Sequence, residues 1–222
     1  MMTPRFSRWP MLVALAALLF AGTACNRAYY RTMEAFGKDK RDLLVDRVGD
    51  ARDSQEEAKE EFSSALERFS ATVDFDGGDL EKTYNRLETA FERSEKRAEA
   101  VHEEVTDVAD VAEALFDEWE DELDQYTDKR LRGLSEEQLE ETRTEYEAMI
   151  RVMRRAEDKM DPVLNAFRDQ VLFIKHNLNA RAIASLEGTT AKLESDIASL
   201  IEEMEASIAE ANRFIDAMQQ PA

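Results

Sequence analysis

Residues 80–126, LEKTYNRLETAFERSEKRAEAVHEEVTDVADVAEALFDEWEDELDQY, decide the fold. Steps of four and three pick out Leu80, Tyr84, Leu87, Phe91, Ser94, Ala98, Val101, Val105, Val108, Ala112, Leu115, Trp119, Glu122 and Tyr126, and twelve of these fourteen are apolar or aromatic. A seam of that period is one face of a long helix laid along a partner helix. The spacing predicts a helix from about Asp79 to Arg130. Gly133 is expected to end it, with Ser135-Glu136-Glu137-Gln138 as the capping box that opens the next helix.

Upstream, Asp74-Phe75-Asp76-Gly77-Gly78-Asp79 reads as a turn, because paired glycines permit positive φ and aspartates cap helices. A calcium loop starting at Asp74 would need Asp or Asn fifth, Gly sixth and Glu twelfth; Gly78, Asp79 and Asn85 stand there, so that reading fails. Before the turn, Leu44, Val48, Ala51, Gln55, Ala58, Phe62, Ala65 and Phe69 form a second seam broken only by Gln55. The corresponding helix is predicted from about Ala28 to Thr72, roughly 65 Å long.

Downstream, Tyr146, Ile150, Met153, Met160, Leu164, Phe167, Val171, Ile174 and Leu178 make a third seam, with a kink expected near Asp161 because Pro162 lacks an amide hydrogen. Leu193, Ile197, Leu200, Met204, Ile208, Ala211, Ile215 and Met218 resume it after a slip. If Gly188 turns the chain, four helices result; if not, the third helix is very long. The break is favoured, because an overhang would expose Leu193, Ile197 and Leu200. The fold class is all-α: an elongated antiparallel helical bundle or coiled coil of three to four long helices.

Composition agrees. Charged residues make up 35% of the 222, with only 7 Gly and 4 Pro, which is the make-up of long helices. The net charge of -20 disfavours both nucleic acid and anionic bilayers as partners over most of the chain's length, since both are polyanions.

The N-terminus reads as a leader. Arg5 and Arg8 precede an apolar run from Met11 to Ala21, about 11 residues and too short for a membrane span, which needs roughly 20. Ala21-Gly22-Thr23-Ala24-Cys25 resembles the bacterial lipoprotein signal, with Gly22 where leucine is usual. The only cysteine of the chain falls where that signal requires one. The domains expected are a signal peptide at residues 1–24 and a single helical domain at 25–222, lipid-anchored at Cys25. Asn26, rather than aspartate, points to the outer membrane, facing the periplasm.

Residues 26–47 hold six basic groups (Arg27, Arg31, Lys38, Lys40, Arg41, Arg47) against four acids (Glu34, Asp39, Asp42, Asp46). Everything after them sums to -24. Arg27, Tyr29, Tyr30 and Arg31 therefore form a candidate membrane-proximal collar, with a first helical turn of packing aromatics as the alternative.

Chemistry-bearing groups are sparse. His102 lacks the second histidine of a His-Glu-x-x-His site, and His176 has no partner that sequence can name. The acids from Asp117 to Asp124 read as a solvated helix face, and Arg151, Arg154 and Arg155 as a cluster paired with nearby acids. No catalytic residue, metal ligand, cofactor or small-molecule substrate is expected. The weakly charged run from Val171 to Ala180 is read first as a buried segment and second as a partner face of Val171, Phe173, Ile174 and Leu178.

At CNRAYYRTMEAFGKDKRDLLVDRVGDARDSQEEAKEEFSSALERF (25–69) and VLFIKHNLNARAIASLEG (171–188), the chain resembles a proteobacterial family of uncharacterised helical envelope lipoproteins, a domain of unknown function. The resemblance implies an envelope location and a helical fold, and brings no catalytic residue. A looser likeness is to BAR-type crescents, whose basic concave face an acidic body does not supply. The expected function is that of a non-enzymatic, lipid-anchored spacer or scaffold of the envelope. The alternative is a regulator that binds a protein partner, or itself, through a coiled-coil face.

Overall fold

The computed structural model describes residues 40–75, 77, 79–177, 183 and 186–219, which form four α-helices with no strand among them. These are α1 (Lys40–Val73), α2 (Leu80–Leu123), α3 (Lys129–His176) and α4 (Glu187–Gln219), of 34, 44, 48 and 33 residues. At about 1.5 Å per residue, α2 and α3 are roughly 65 and 70 Å long. The chain divides into two compact units, residues 1–43 and 44–222; of the first, only residues 40–43 are described. The expected helix start near Ala28 lies outside the described residues.

Within the second unit, side-chain pairs report the register. Glu57 meets Arg97 and the Ser94 hydroxyl reaches the Glu61 carbonyl at 3.2 Å, so α2 descends as α1 climbs. Glu88 pairs with Lys175 at 2.9 Å, Glu95 with Arg168, and Glu120 with Arg143 at 2.6 Å, which sets α3 antiparallel to α2. Lys159 reaches Ser199 at 2.9 Å and Arg155 reaches Glu203 at 3.8 Å, setting α4 antiparallel to α3. Arg52 to Asn212 at 3.1 Å and Ser70 to Glu194 at 3.4 Å close the ring between α1 and α4. Each helix is thus antiparallel to two neighbours, in an up-down-up-down four-helix bundle.

The seams fill its centre. All eight predicted positions from Leu44 to Phe69 are fully buried, as are Leu87, Val101, Val108, Ala112, Met153, Phe167, Ile197, Leu200, Met204 and Ala211. Phe167 meets Phe69 at 5.6 Å and Phe91 at 5.3 Å, both edge-to-face, an arrangement that the ring quadrupoles favour. The seam of α2 fades at its end: Glu122 is exposed and Tyr126 lies beyond the helix.

Gln55 is the exception the sequence marks. It is fully buried, and neither its amide nitrogen nor its carbonyl oxygen has a hydrogen-bond partner in the protein. By the α1–α4 register it lies level with Ser207, whose buried hydroxyl is likewise unpartnered. Burying an unpartnered polar group costs about 1–3 kcal/mol.

Two boundaries differ from expectation. The α2–α3 reversal occurs at Asp124–Asp128, not at Gly133: Asp124 caps α2 with its amide on the Glu122 carbonyl, and the Asp128 carboxylate accepts the amides of Arg130 (2.8 Å) and Leu131 (3.2 Å). The Ser135 hydroxyl is not a cap, because it accepts the Trp119 indole N–H at 2.9 Å. Gly133 therefore sits inside α3 and exposed. The α3–α4 break likewise falls before Gly188, since the Asn177 carboxamide donates to the Phe173 carbonyl at 2.9 Å and ends α3, while Gly188 lies within α4. Four helices result, as favoured, with the break placed earlier. Pro162 lies inside α3, which runs unbroken past it, and both Pro162 and Asp158 one turn before it are exposed. The acidic turn behaves as read: Gly77 takes φ +152° and Asp79 caps α2 by accepting the Lys82 amide at 3.0 Å.

Gly133→Ala should stabilise the bundle by about 0.5–1 kcal/mol, because the position is helical with open space for a Cβ and alanine is the better helix former. Gly77→Ala should destabilise it through its positive φ. Thermal melts followed by circular dichroism test both, and a Gly133→Ala loss would put the turn back at that residue. Replacing Gln55 by leucine should raise stability by about 1–3 kcal/mol by removing the unpartnered amide. Urea unfolding reads this one, and a lowered midpoint would show that the amide is satisfied in solution.

Candidate functional site

Four antiparallel helices can present chemistry only along their outer faces or at the bundle ends, because the interior is filled by apolar seams. Titratable groups pair across the helix junctions. The Tyr84 hydroxyl donates to Glu88 at 2.6 Å and Lys175 donates to the same oxygen at 2.9 Å; these two hydrogen bonds hold the Glu88 carboxyl below its usual range, the tyrosine's first. Burial, followed by the bond to Glu88, pushes the Tyr84 phenol upward. Glu104 is half-buried with one carboxylate oxygen unpartnered, and burial, then Asp50, raises it. Of these contacts, the Lys175–Glu88 bond joins α3 to α2, and the Tyr84–Glu88 bond lies within α2.

His102 is exposed on α2, and its Nδ1 pairs with Glu157 of α3. The hydrogen bond to Glu157, then its charge, raises the imidazole above its ordinary 6.5, with smaller contributions from Asp161 and Glu103. His176 is exposed at the end of α3. Among the described residues, no group of three or more His, Cys, Asp or Glu is arranged to hold a metal ion.

An open depression of about 520 Å³ is lined by Glu147, Ile150, Arg151, Arg154, Arg155 and Asp158. All six belong to α3. A single helix face spreads its side chains apart, so they do not converge on one reacting atom. Arg155 is tied to Glu203 across the α3–α4 junction. In the acidic run, Glu120 pairs with Arg143 and Asp124 with Arg132 at 3.2 Å, so the solvated-face reading describes it.

Cys25 and the collar residues Arg27, Tyr29, Tyr30 and Arg31 lie outside the described residues. In the expected partner face, Val171 (4% exposed) and Ile174 (1%) turn into the core, while Phe173 (39%) faces solvent and Leu178 lies outside the described residues. The structure adds Leu172, 45% exposed beside Phe173. It also adds a cluster that sequence reasoning missed: Tyr126, Leu131 and Leu134, exposed at the α2–α3 turn. The signal was present in Lys129-Arg130-Leu131-Arg132-Gly133-Leu134, but placing a helix end at Gly133 hid it. No described helix is long and apolar enough to cross a membrane.

The raised imidazole gives a pH test. A pair that favours protonated His102 contributes fully below pH 6.5 and fades as pH rises through the folded value. His102→Gln should therefore lower the melting temperature at about pH 5.5 and leave it unchanged at about pH 9; an equal loss at both would assign the effect to helix packing.

No curated protein and no solved structure matches the chain. A family model described as a protein of unknown function, DUF2959, matches residues 29–218. With almost all of the helical sequence covered by that match, the chain belongs to the DUF2959 family.

Proposed function

We propose that this chain is a lipid-anchored, non-enzymatic helical protein of the bacterial envelope, a spacer or scaffold held at the outer membrane and facing the periplasm. Cys25 carries the reading: the only cysteine of the chain follows a basic, then apolar leader at Ala21-Gly22-Thr23-Ala24, where a lipoprotein signal would place it. The bundle supports it from the other side, since its helices spend their apolar seams on one another and α3 alone extends roughly 70 Å. A body of that length is suited to setting a distance.

A second reading has one observation in its favour. Leu172 and Phe173, consecutive on α3, are both exposed, and large apolar groups in solvent suit a protein partner. In this reading the chain regulates an envelope assembly by docking through that part of α3. Crosslinking and pull-down from cells separates the two: a stoichiometric partner lost in Phe173→Glu favours the regulator.

Metabolic labelling with a clickable palmitate should mark the wild-type chain and leave Cys25→Ser unmarked, with the variant released from the membrane fraction. Equal labelling of the two would sink the anchor.

A further inference from the structure

Five large apolar side chains are exposed among the described residues, and three of them, Tyr126 (43%), Leu131 (43%) and Leu134 (51%), lie together at the α2–α3 turn. Between them stand Lys129, Arg130 and Arg132, all exposed. Residues 129–134 thus hold three cations and no acid, in a chain of net charge -20.

The acids nearest the apex are spoken for. Asp124 is bridged to Arg132, and Asp128 is occupied by the first amides of α3. Lys129 and Arg130 have no ion-pair partner among the described residues. Asp121, Glu122, Glu136 and Glu137 are set back from the apex by one to two turns, roughly 5–10 Å. That is comparable to the Debye length of about 8 Å at physiological ionic strength. The Trp119–Ser135 hydrogen bond clamps the two helices just behind the turn, so the tip is presented on a braced hairpin.

Its place in the bundle matters as much as its chemistry. Arg155 of α3 is level with Glu203 of α4, so α4, ending at Gln219, stops level with about Leu139, and the turn projects about three helical turns further. It does so at the end of the bundle nearest Leu44, by the Glu57–Arg97 register of α1 and α2. The opposite end carries the acidic Asp74–Asp79 turn.

We propose that the α2–α3 tip is a membrane-contact site, with Lys129 and Arg130 on phospholipid phosphates and Tyr126, Leu131 and Leu134 at the headgroup boundary. The partner is a bilayer with anionic headgroups. End-on contact is the approach that charge allows: a bundle lying flat would bring dozens of carboxylates within a Debye length of the phosphates, whereas one standing on its tip keeps most of them tens of ångströms away. Tyrosine and leucine beside lysine and arginine stems are the side chains that such a boundary accommodates. This deepens the anchored reading proposed above and rests on it, because an acylated Cys25 would keep the chain at a bilayer.

The test uses the full chain purified from membranes and reconstituted in vesicles of phosphatidylethanolamine and phosphatidylglycerol. With Cys25 acylated, Leu131→Cys or Leu134→Cys supplies the only free thiol, which takes an environment-sensitive fluorophore; both sites are exposed, so the bundle tolerates the change. Lys82→Cys, exposed at the opposite end, is the control. The tip probes should shift to the blue on reconstitution and be quenched several-fold more strongly by spin-labelled lipid than the Lys82→Cys probe. Tip probes as wet as the control overturn the proposal. A blue shift in vesicles without quenching by spin-labelled lipid also overturns it, in favour of contact between copies. Mass spectrometry of the same sample reads acylation of Cys25 separately, so loss of the anchor and loss of the tip contact are distinguished.

Discussion

Phe167 is where three of the four helices meet. Its ring is held edge-on between Phe69 of α1 and Phe91 of α2, and it is fully buried on α3. Aromatic pairs in this geometry contribute about 0.5–1.5 kcal/mol beyond the area they bury, and their larger effect is positional. Once Phe167 is seated, a slip of α3 by one residue would carry its seam toward solvent, and the antiparallel partners along each junction would fall out of line. The small side chains of Ala51, Ala58 and Ala65 on α1, all fully buried, alternate with Phe62 and Phe69, so the bulk that fills the centre comes from a few large residues at set heights.

The charged surface works differently. Most of the cross-helix pairs are exposed, and an exposed ion pair adds about 0–1 kcal/mol at most. Glu95 with Arg168 or Glu120 with Arg143 therefore contributes little cohesion. Such pairs instead disfavour wrong alignments, since a shifted register would set carboxylates of this acidic chain against one another. Cohesion comes from the seams; the pairs add discrimination.

Period was the part of the fold legible in the sequence. Every position from Leu44 to Phe69 that the four-three spacing selects is buried, Gln55 included, because burial of one helix face is a collective property that many residues report at once. Helix ends were less legible, since each depends on one or two hydrogen bonds. Asp128 and Ser135 are both competent caps, and only the three-dimensional neighbourhood, in which Trp119 claims the Ser135 hydroxyl, decides between them. Gly133 looked like a break because glycine tolerates one, yet tolerance is not a demand and α3 continues through it, whereas near Gly188 the chain does break, with α4 starting one residue earlier at Glu187. At the candidate sites the limits were similar. Val171 and Ile174 share an apolar run with Phe173, but helical geometry turns two inward and one outward, while the tip at Tyr126, Leu131 and Leu134 became visible only when the turn moved to Asp124–Asp128.

The contact between α1 and α4 sets an order of events in time. Arg52 and Asn212 are 160 residues apart in the chain, whereas the α2–α3 and α3–α4 junctions join neighbouring helices. A chain that emerges N-terminus first, from a ribosome or a translocon, presents α1 before α4 is out. Until then the first helix carries an apolar seam with half of its partners not yet made. Its burial is complete only when the C-terminal helix has folded back along it.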